Sequence, residues 1–126
     1  MWSTIISHSD FEQIIKLAHD YYDGMVRGRA DVLKRVFEPG ARFQGVRDGE
    51  QVRRGLPEFI AMAASTDAAS SAAQDLALTV DLIDVTGPIA LVKVTDRFRG
   101  RTYVDYLMLV KNREWQIVNK TFTIID

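Results

Sequence analysis

Hydrophobic residues near the start of the chain recur at the three- and four-residue spacing of an α-helix. Ser9 and Glu12 fit a capping box, and the pattern after them predicts one long helix that runs to about Val26 and ends near Gly28. The apolar positions of this helix are Phe11, Ile14, Ile15, Ala18, Tyr21, Tyr22 and Met25.

A second, short helix is predicted directly after the first. Its buried stripe would consist of Val32, Leu33, Val36 and Phe37, and we expect Pro39-Gly40 to stop it. Pro57 fits the first turn of a third helix, where its missing N–H costs nothing. The Ala- and Ser-rich segment 66–73 lacks apolar spacing, so we predict a loop or a frayed helix end there.

The other segments are β-rich. Asp48-Gly49 is a strong hairpin signal, and it joins a predicted strand at 41–47 to a short return strand at 51–54. Four further runs follow and are joined by short turns, so sequence neighbours should pair antiparallel; they cover 76–85, 89–98, 102–110 and 115–125. The order predicts one α+β domain, residues 1–126, with a strongly curved antiparallel sheet and about three helices on its concave face.

Composition excludes several classes of function. There are 16 Lys and Arg residues against 17 Asp and Glu, so no net positive field attracts nucleic acid or an anionic membrane. The chain has no Cys and no metal-ligand spacing, and we expect no metal and no cofactor. With neither a signal peptide nor a long apolar span, the expected location is the cytoplasm.

The strand pattern brings three charged residues together. If Lys111 lies opposite Glu114 in the last hairpin, Asp105 lies directly across from Lys120. If Arg99 lies opposite Thr102 in the hairpin before it, Asp96 becomes the other neighbour of Asp105. All three would then share one sheet face.

That face is otherwise apolar or aromatic, which leaves two interpretations of the trio. Buried charges must be paired or must shift their pKa values, as happens at functional sites, and one of the two acids would have a raised pKa. Alternatively, the trio lies at the open end of the sheet as ordinary solvated cross-strand pairs.

The opposite face of the sheet is predicted to be apolar as well. It would carry Val104, Tyr106, Met108 and Val110 on one strand, with Trp115 and Ile117 on the next. A sheet that is apolar on both faces needs two covers, and we expect a homodimer through the convex face. The alternative is that the N-terminal segment around Trp2 covers it.

The element order and several motifs resemble the nuclear-transport-factor-2-like, or cystatin-like, α+β superfamily, in particular its lumazine-binding-like and SnoaL-like members. The resemblance covers nearly the whole chain and depends on residues 21–24, 36–41 and 103–107, and above all on the closing run from Trp115 to Phe122. It implies a cone-shaped sheet whose interior holds a small hydrophobic molecule. Because the superfamily contains isomerases, dehydratases, cyclases and non-catalytic binders, the fold does not define the function.

Comparison with the ketosteroid-isomerase-like members suggests roles for individual residues. Tyr21 and Asp105 match the two oxyanion hydrogen-bond donors, but the position of the base is Gly45, so that isomerisation is disfavoured. A cation at Lys120 would also turn Asp105 from a donor into an acceptor, which favours a polar heterocycle or an acid as ligand.

The sequence thus predicts a binder of a small aromatic or heteroaromatic molecule. The expected ligand-binding residues are Tyr21, Phe43, Phe59, Met62, Asp105, Leu107, Lys120 and Phe122. Two alternatives stay open: a SnoaL-like isomerase, cyclase or hydratase, with catalytic candidates Tyr21, Asp96 and Asp105, and a dimerisation module without a functional pocket. Arg47, Arg53 and Arg54 are interpreted as an exposed charged edge.

Overall fold

The computed structural model describes residues 8–65 and 76–126. The segment 66–73 and the N-terminal segment around Trp2 lie wholly or largely outside the described residues. The elements are α1 (His8–Val26), α2 (Ala30–Val36), β1 (Phe37–Arg47), β2 (Glu50–Gly55), α3 (Leu56–Ala64), β3 (Leu78–Thr86), β4 (Ile89–Phe98), β5 (Arg101–Asn112) and β6 (Glu114–Ile124). The predicted α+β class is confirmed, with three helices beside a six-stranded sheet.

The sheet is mixed and open, with the strand order β2-β1-β6-β5-β4-β3. All neighbours are antiparallel except β1 and β6, which pair parallel. Buried residues alternate with half-buried ones along β4 and with exposed ones along the second half of β5, so one face of the sheet meets the helices and the other is more exposed to solvent. In the two described ranges, no helix has the length and apolar character needed to cross a membrane.

The core lies between this sheet and the three helices. The helix α1 contributes a buried stripe of Ile14, Leu17, Ala18, Tyr21, Tyr22 and Met25, close to the predicted one, although Ile15 is 41 % exposed. An aromatic cluster joins the helices to β1: the ring of Phe43 stacks on that of Phe59 with centroids 4.5 Å apart, and Phe37 contacts both. Offset and edge contacts of this kind stabilise a core beyond the area they bury.

Two predicted element boundaries are wrong. The helix α2 ends at Val36, and Pro39-Gly40 lies inside β1 rather than stopping a helix. The pairing of β1 with β6 shifts register between Phe37 and Arg42, so Pro39 occupies a bulge where its missing N–H removes no ladder hydrogen bond. The helix α1 already includes Ser9, whose Oγ accepts a hydrogen bond from Gln13 instead of capping the helix.

The predicted register of the last hairpin is also wrong. Asn112 pairs with Glu114, which leaves only Arg113 in the turn, at a φ of 72°. A bulge between Met108 and Leu109 then shifts the pairing once more. Asp105 therefore lies opposite Phe122 and not opposite Lys120.

The hairpin between β4 and β5 has a two-residue turn, as predicted, but the turn lies one residue earlier in the chain. Its turn is Arg99-Gly100, and both residues have the positive φ of a type I′ turn. Asp96 consequently lies opposite Tyr103, and Asp105 lies opposite Val94. In both hairpins the pairing differs from the prediction by two residues in total, so each charged side chain stays on the predicted face.

The β6 bulge changes the composition of the convex face. Trp115 and Ile117 were predicted to lie there, but they are 4 % and 0 % exposed and belong to the core. Skipping one residue at the bulge reverses which side chains point inward on either side of it. On β5, the exposed apolar residues of the convex face include Tyr106 and Met108.

Gly45 is required where β1 passes beside β6. A Cβ added at this position would lie 2.3 Å from the carbonyl oxygen of Phe122 and 2.7 Å from its ring. Since the carbonyl belongs to the backbone of a paired strand, it cannot move away without breaking the ladder. Gly45 thus allows the ring of Phe122 to lie over the inner face of β1.

We expect Gly45→Ala to lower the free energy of unfolding by about 2–3 kcal/mol, as overpacking of a core does. Gly55→Ala is the matched control, because its Cβ would meet its nearest neighbour at an ordinary 3.5 Å. It should cost less than about 1 kcal/mol. Urea denaturation of both variants measures the difference, and equal stabilities would contradict the close approach at Gly45.

Candidate functional site

Three charged side chains are buried in the core beneath α1. Asp96 on β4, Asp105 on β5 and Lys120 on β6 are 2 %, 1 % and 6 % exposed. They lie on the same inner face of three adjacent strands. This placement agrees with the buried interpretation of the trio and excludes the solvated one.

Tyr21 connects α1 to this group. Its hydroxyl donates a hydrogen bond of 2.7 Å to Oδ2 of Asp105, and the ring is fully buried. Burial, together with the charge of Asp105, raises the pKa of Tyr21 well above its usual value. Tyr21 therefore keeps its proton and acts as a donor, and this donor is already engaged by Asp105.

The two acids are short of hydrogen-bond donors. In the part of the chain that the structure describes, both carboxyl oxygens of Asp96 and Oδ1 of Asp105 are buried without a partner. Burial and the neighbouring charge of Asp105 raise the pKa of Asp96 to about 8, although Lys120 acts in the opposite direction. Asp96 is therefore protonated at neutral pH, and its proton is the donor that the pair otherwise lacks.

Lys120 lies in an aromatic cage. Its Nζ is 4.7 Å from the ring centre of Phe59, 5.0 Å from that of Tyr21 and 5.3 Å from that of Phe122. A contact of 4.0 Å to Sδ of Met25 adds a weak acceptor. Among the described residues, Lys120 forms no ion pair with an acid.

These charged groups line one inner cavity. The cavity is small, with a volume of about 30 Å³. That is room for roughly two waters, so a larger ligand requires side chains to move. The lining residues are Met25, Phe43, Arg47, Arg54, Phe59, Met62, Asp96, Phe98, Tyr103, Asp105, Lys120 and Phe122.

Six of the eight residues expected to bind a ligand are in this lining. The other two are Tyr21, which lies behind Asp105, and Leu107, which is 1 % exposed and belongs to the core. Sequence reasoning missed Arg47 and Arg54, which line the cavity instead of forming only an exposed edge.

The sequence of the hairpin could have predicted that these two arginines point into the cavity. A two-residue turn at Asp48-Gly49 pairs Arg54 with Phe43, as observed, and gives it the inward direction of that ring. Arg47 follows Phe43 and Gly45 on the inner face of β1 at the same period of two. Both are half-buried, and Nε of Arg47 is buried without a partner in the described part of the chain.

The position that corresponds to an isomerase base offers no replacement for it. Gly45 has no side chain, and the ring of Phe122 fills the space beside it. The acid–base groups that line the cavity include Asp96, Asp105 and Lys120.

Comparisons with known proteins agree with this architecture. A family model described as "Putative lumazine-binding" matches residues 9–123. An NTF2-like protein of unknown function from Silicibacter pomeroyi superposes with a TM-score of 0.87 at 26 % identity, over 96 % of this chain and 100 % of that one. A domain with a cystatin-like fold from Nostoc punctiforme gives 0.72 at 20 % identity, over 96 % of this chain and 80 % of that one.

One characterised relative is an enzyme. The aldolase FrzH of a Cladobotryum species is 27 % identical over 120 residues, which cover 93 % of this chain and 93 % of that protein.

Because the pKa of Asp96 is raised, we expect the free energy of unfolding to depend on pH. Because the folded protein holds this proton more tightly than the unfolded chain, the stabilisation is complete below about pH 4 and is lost as the pH rises to about 8. The wild type should therefore lose about 1.4 kcal/mol per pH unit relative to Asp96→Asn within that window. Denaturant unfolding of both proteins from pH 5 to 9 measures this, and parallel curves would contradict it.

Proposed function

Because the chain belongs to the putative lumazine-binding family, we propose that its inner cavity binds a small aromatic or heteroaromatic molecule that carries an acidic group. The observation that carries this proposal is the joint lining of the cavity: aromatic rings, two aspartates and a lysine at the buried end, and two arginines at the half-buried end. A pocket of apolar walls with a few convergent polar groups is the usual form of a small-molecule site.

The walls favour a flat ligand. The rings of Phe43 and Phe59 are stacked, and Nζ of Lys120 lies 4.7 Å from the ring centre of Phe59 and 5.3 Å from that of Phe122. Flexible side chains at the cavity, Met62 and Arg47 among them, are the ones that can move to admit a ring. At the buried end, Asp105 would accept a hydrogen bond from a ligand N–H, and Tyr21 would hold Asp105 in position.

The half-buried end favours an anion. Arg47 and Arg54 line it, and Nε of Arg47 has no partner among the described residues. Guanidinium groups bind carboxylates with two parallel hydrogen bonds, which makes a carboxylate the best match. This supports an acid over a neutral steroid-like ligand.

A second candidate function is acid–base catalysis on a carbonyl compound. The pKa of Asp96, at about 8, suits a group that gives and takes protons near neutral pH. The similarity to an aldolase supports the same reading of the cavity. Asp96 would then carry the proton, with Asp105 and Tyr21 positioning it.

We also propose that the protein is a homodimer through the convex face of the sheet. Tyr106, Met108 and Val110 on β5 are 45 %, 43 % and 38 % exposed and form a contiguous apolar stripe. Beside it, Gln44, Asn119 and Thr121 form a hydrogen-bonded polar network on β1 and β6. An apolar stripe next to a polar rim is the composition of a protein interface.

The ligand proposal is tested with two probes that differ in one group, pterin and pterin-6-carboxylate. The carboxylate should bind more tightly, and Arg54→Gln should weaken its binding by about tenfold, the cost of one charge-assisted contact. Arg53→Gln is the control, because Arg53 is exposed on the other face of β2. Calorimetric titration that gives equal affinities for both probes would contradict the anionic end.

The dimer is tested with Met108→Glu. Symmetry would bring two carboxylates together in an apolar contact, so self-association should weaken at least about a hundredfold. Ile15→Glu is the control, since Ile15 is exposed to a similar degree on α1. Sedimentation velocity would contradict the proposal if the wild type were monomeric, or if both variants dissociated equally.

A further inference from the structure

Burying the ammonium of Lys120 carries a large desolvation free energy. It is 6 % exposed, and in the described part of the chain no acid forms an ion pair with it. Three rings within 5.3 Å offset part of the desolvation cost. A Met or Leu of similar volume would fill the space without that cost, so packing alone does not explain a lysine here.

The amine is also poorly engaged. An ammonium has three donors, and the acceptor found for Lys120 among the described residues is the sulfur of Met25 at 4.0 Å. The amine lines the cavity together with both aspartates. A nucleophilic lysine requires this arrangement: an amine in an apolar site that is open to a ligand, with a proton acceptor nearby.

We infer that the amine of Lys120 forms an imine with the carbonyl group of a small aldehyde or ketone that enters the cavity. This inference rests on the proposed function, because it assumes that the cavity admits a ligand. An aldehyde or ketone with few carbons requires the least movement of the side chains that line this small cavity, the flexible Met62 among them.

The two aspartates supply the proton transfers. The ammonium first gives a proton, through one bridging water, to a carboxylate of the pair. The free amine then forms a bond to the carbonyl carbon while the carbonyl oxygen takes that proton. The nitrogen, now positively charged, next returns a second proton to the pair and so regains its lone pair. The hydroxyl then leaves as water after receiving a proton from the pair, while this lone pair forms the C=N bond. Overall, the ammonium and the carbonyl compound give a protonated imine and water, with no oxidation or reduction.

The experiment traps the imine. The intact protein is incubated with acetaldehyde and sodium cyanoborohydride, which reduces an imine to a stable ethyl-lysine, and peptides are mapped by mass spectrometry over time. The chain has five lysines, so each can be followed separately. Lys16, whose side chain is 72 % exposed, is the internal reference for an ordinary surface amine.

We expect Lys120 to be labelled at least about tenfold faster than Lys16, since an activated and positioned amine outweighs its poor exposure. A buried lysine with only a structural role would be labelled last. Asp96→Asn should slow labelling of Lys120 and leave Lys16 unchanged, whereas Lys93→Arg, a change remote from the cavity, should affect neither. Lys120 labelled no faster than Lys16 would overturn the inference.

The outcome is separable from that of the proposed function. If the pterin probes bind but Lys120 is not labelled preferentially, the imine is wrong and the ligand site stands. If Lys120 is labelled preferentially but neither pterin binds, the inference of imine formation is supported and the proposed aromatic ligand is wrong. Lys120→Arg provides a further check, because it should abolish labelling at this position while retaining the positive charge.

Discussion

The hydrogen bond between Tyr21 and Asp105 is the contact on which the interior of this protein depends. It joins the first helix to a central strand across 84 positions of sequence, and both side chains are buried. Because a carboxylate cannot be buried without donors, the hydroxyl of Tyr21 is what allows Asp105 to face the core. Without it, the acid at the centre of the sheet would lose the hydrogen bond that joins it to α1.

The acids and the amine around this bond balance one another only in part. Asp105 accepts a hydrogen bond from the hydroxyl of Tyr21, and Asp96 is neutral because it keeps its proton. The ammonium of Lys120 is stabilised by aromatic rings and not by a paired carboxylate. A core selected only for stability would replace all three with apolar residues. The incomplete compensation is therefore the feature that distinguishes this interior from an ordinary hydrophobic core, and it coincides with the narrow cavity.

The register of the sheet shows why the charged trio could be foreseen while its pairing could not. The alternation of side chains depends only on whether a shift is odd or even, and both hairpins differ from the expected register by two residues at Asp105. Asp96, Asp105 and Lys120 therefore lie on the predicted face of the sheet, although their predicted cross-strand partners were wrong. Trp115 and Ile117 lie between the turn and the bulge, where the shift is a single residue, and so their predicted face was wrong.

The class of the fold, most element boundaries and the face on which the charged residues lie could be predicted from the amino-acid sequence, because hydrophobic periodicity and turn residues are local signals. The other features of the site became visible only in the folded protein. The bulge in β6, the parallel pairing of β1 with β6 and the filling of the space beside Gly45 by Phe122 all depend on contacts between segments far apart in the chain. The same is true of the cage around Lys120 and the inward direction of Arg47, because burial is a property of the assembled layers and not of any one strand.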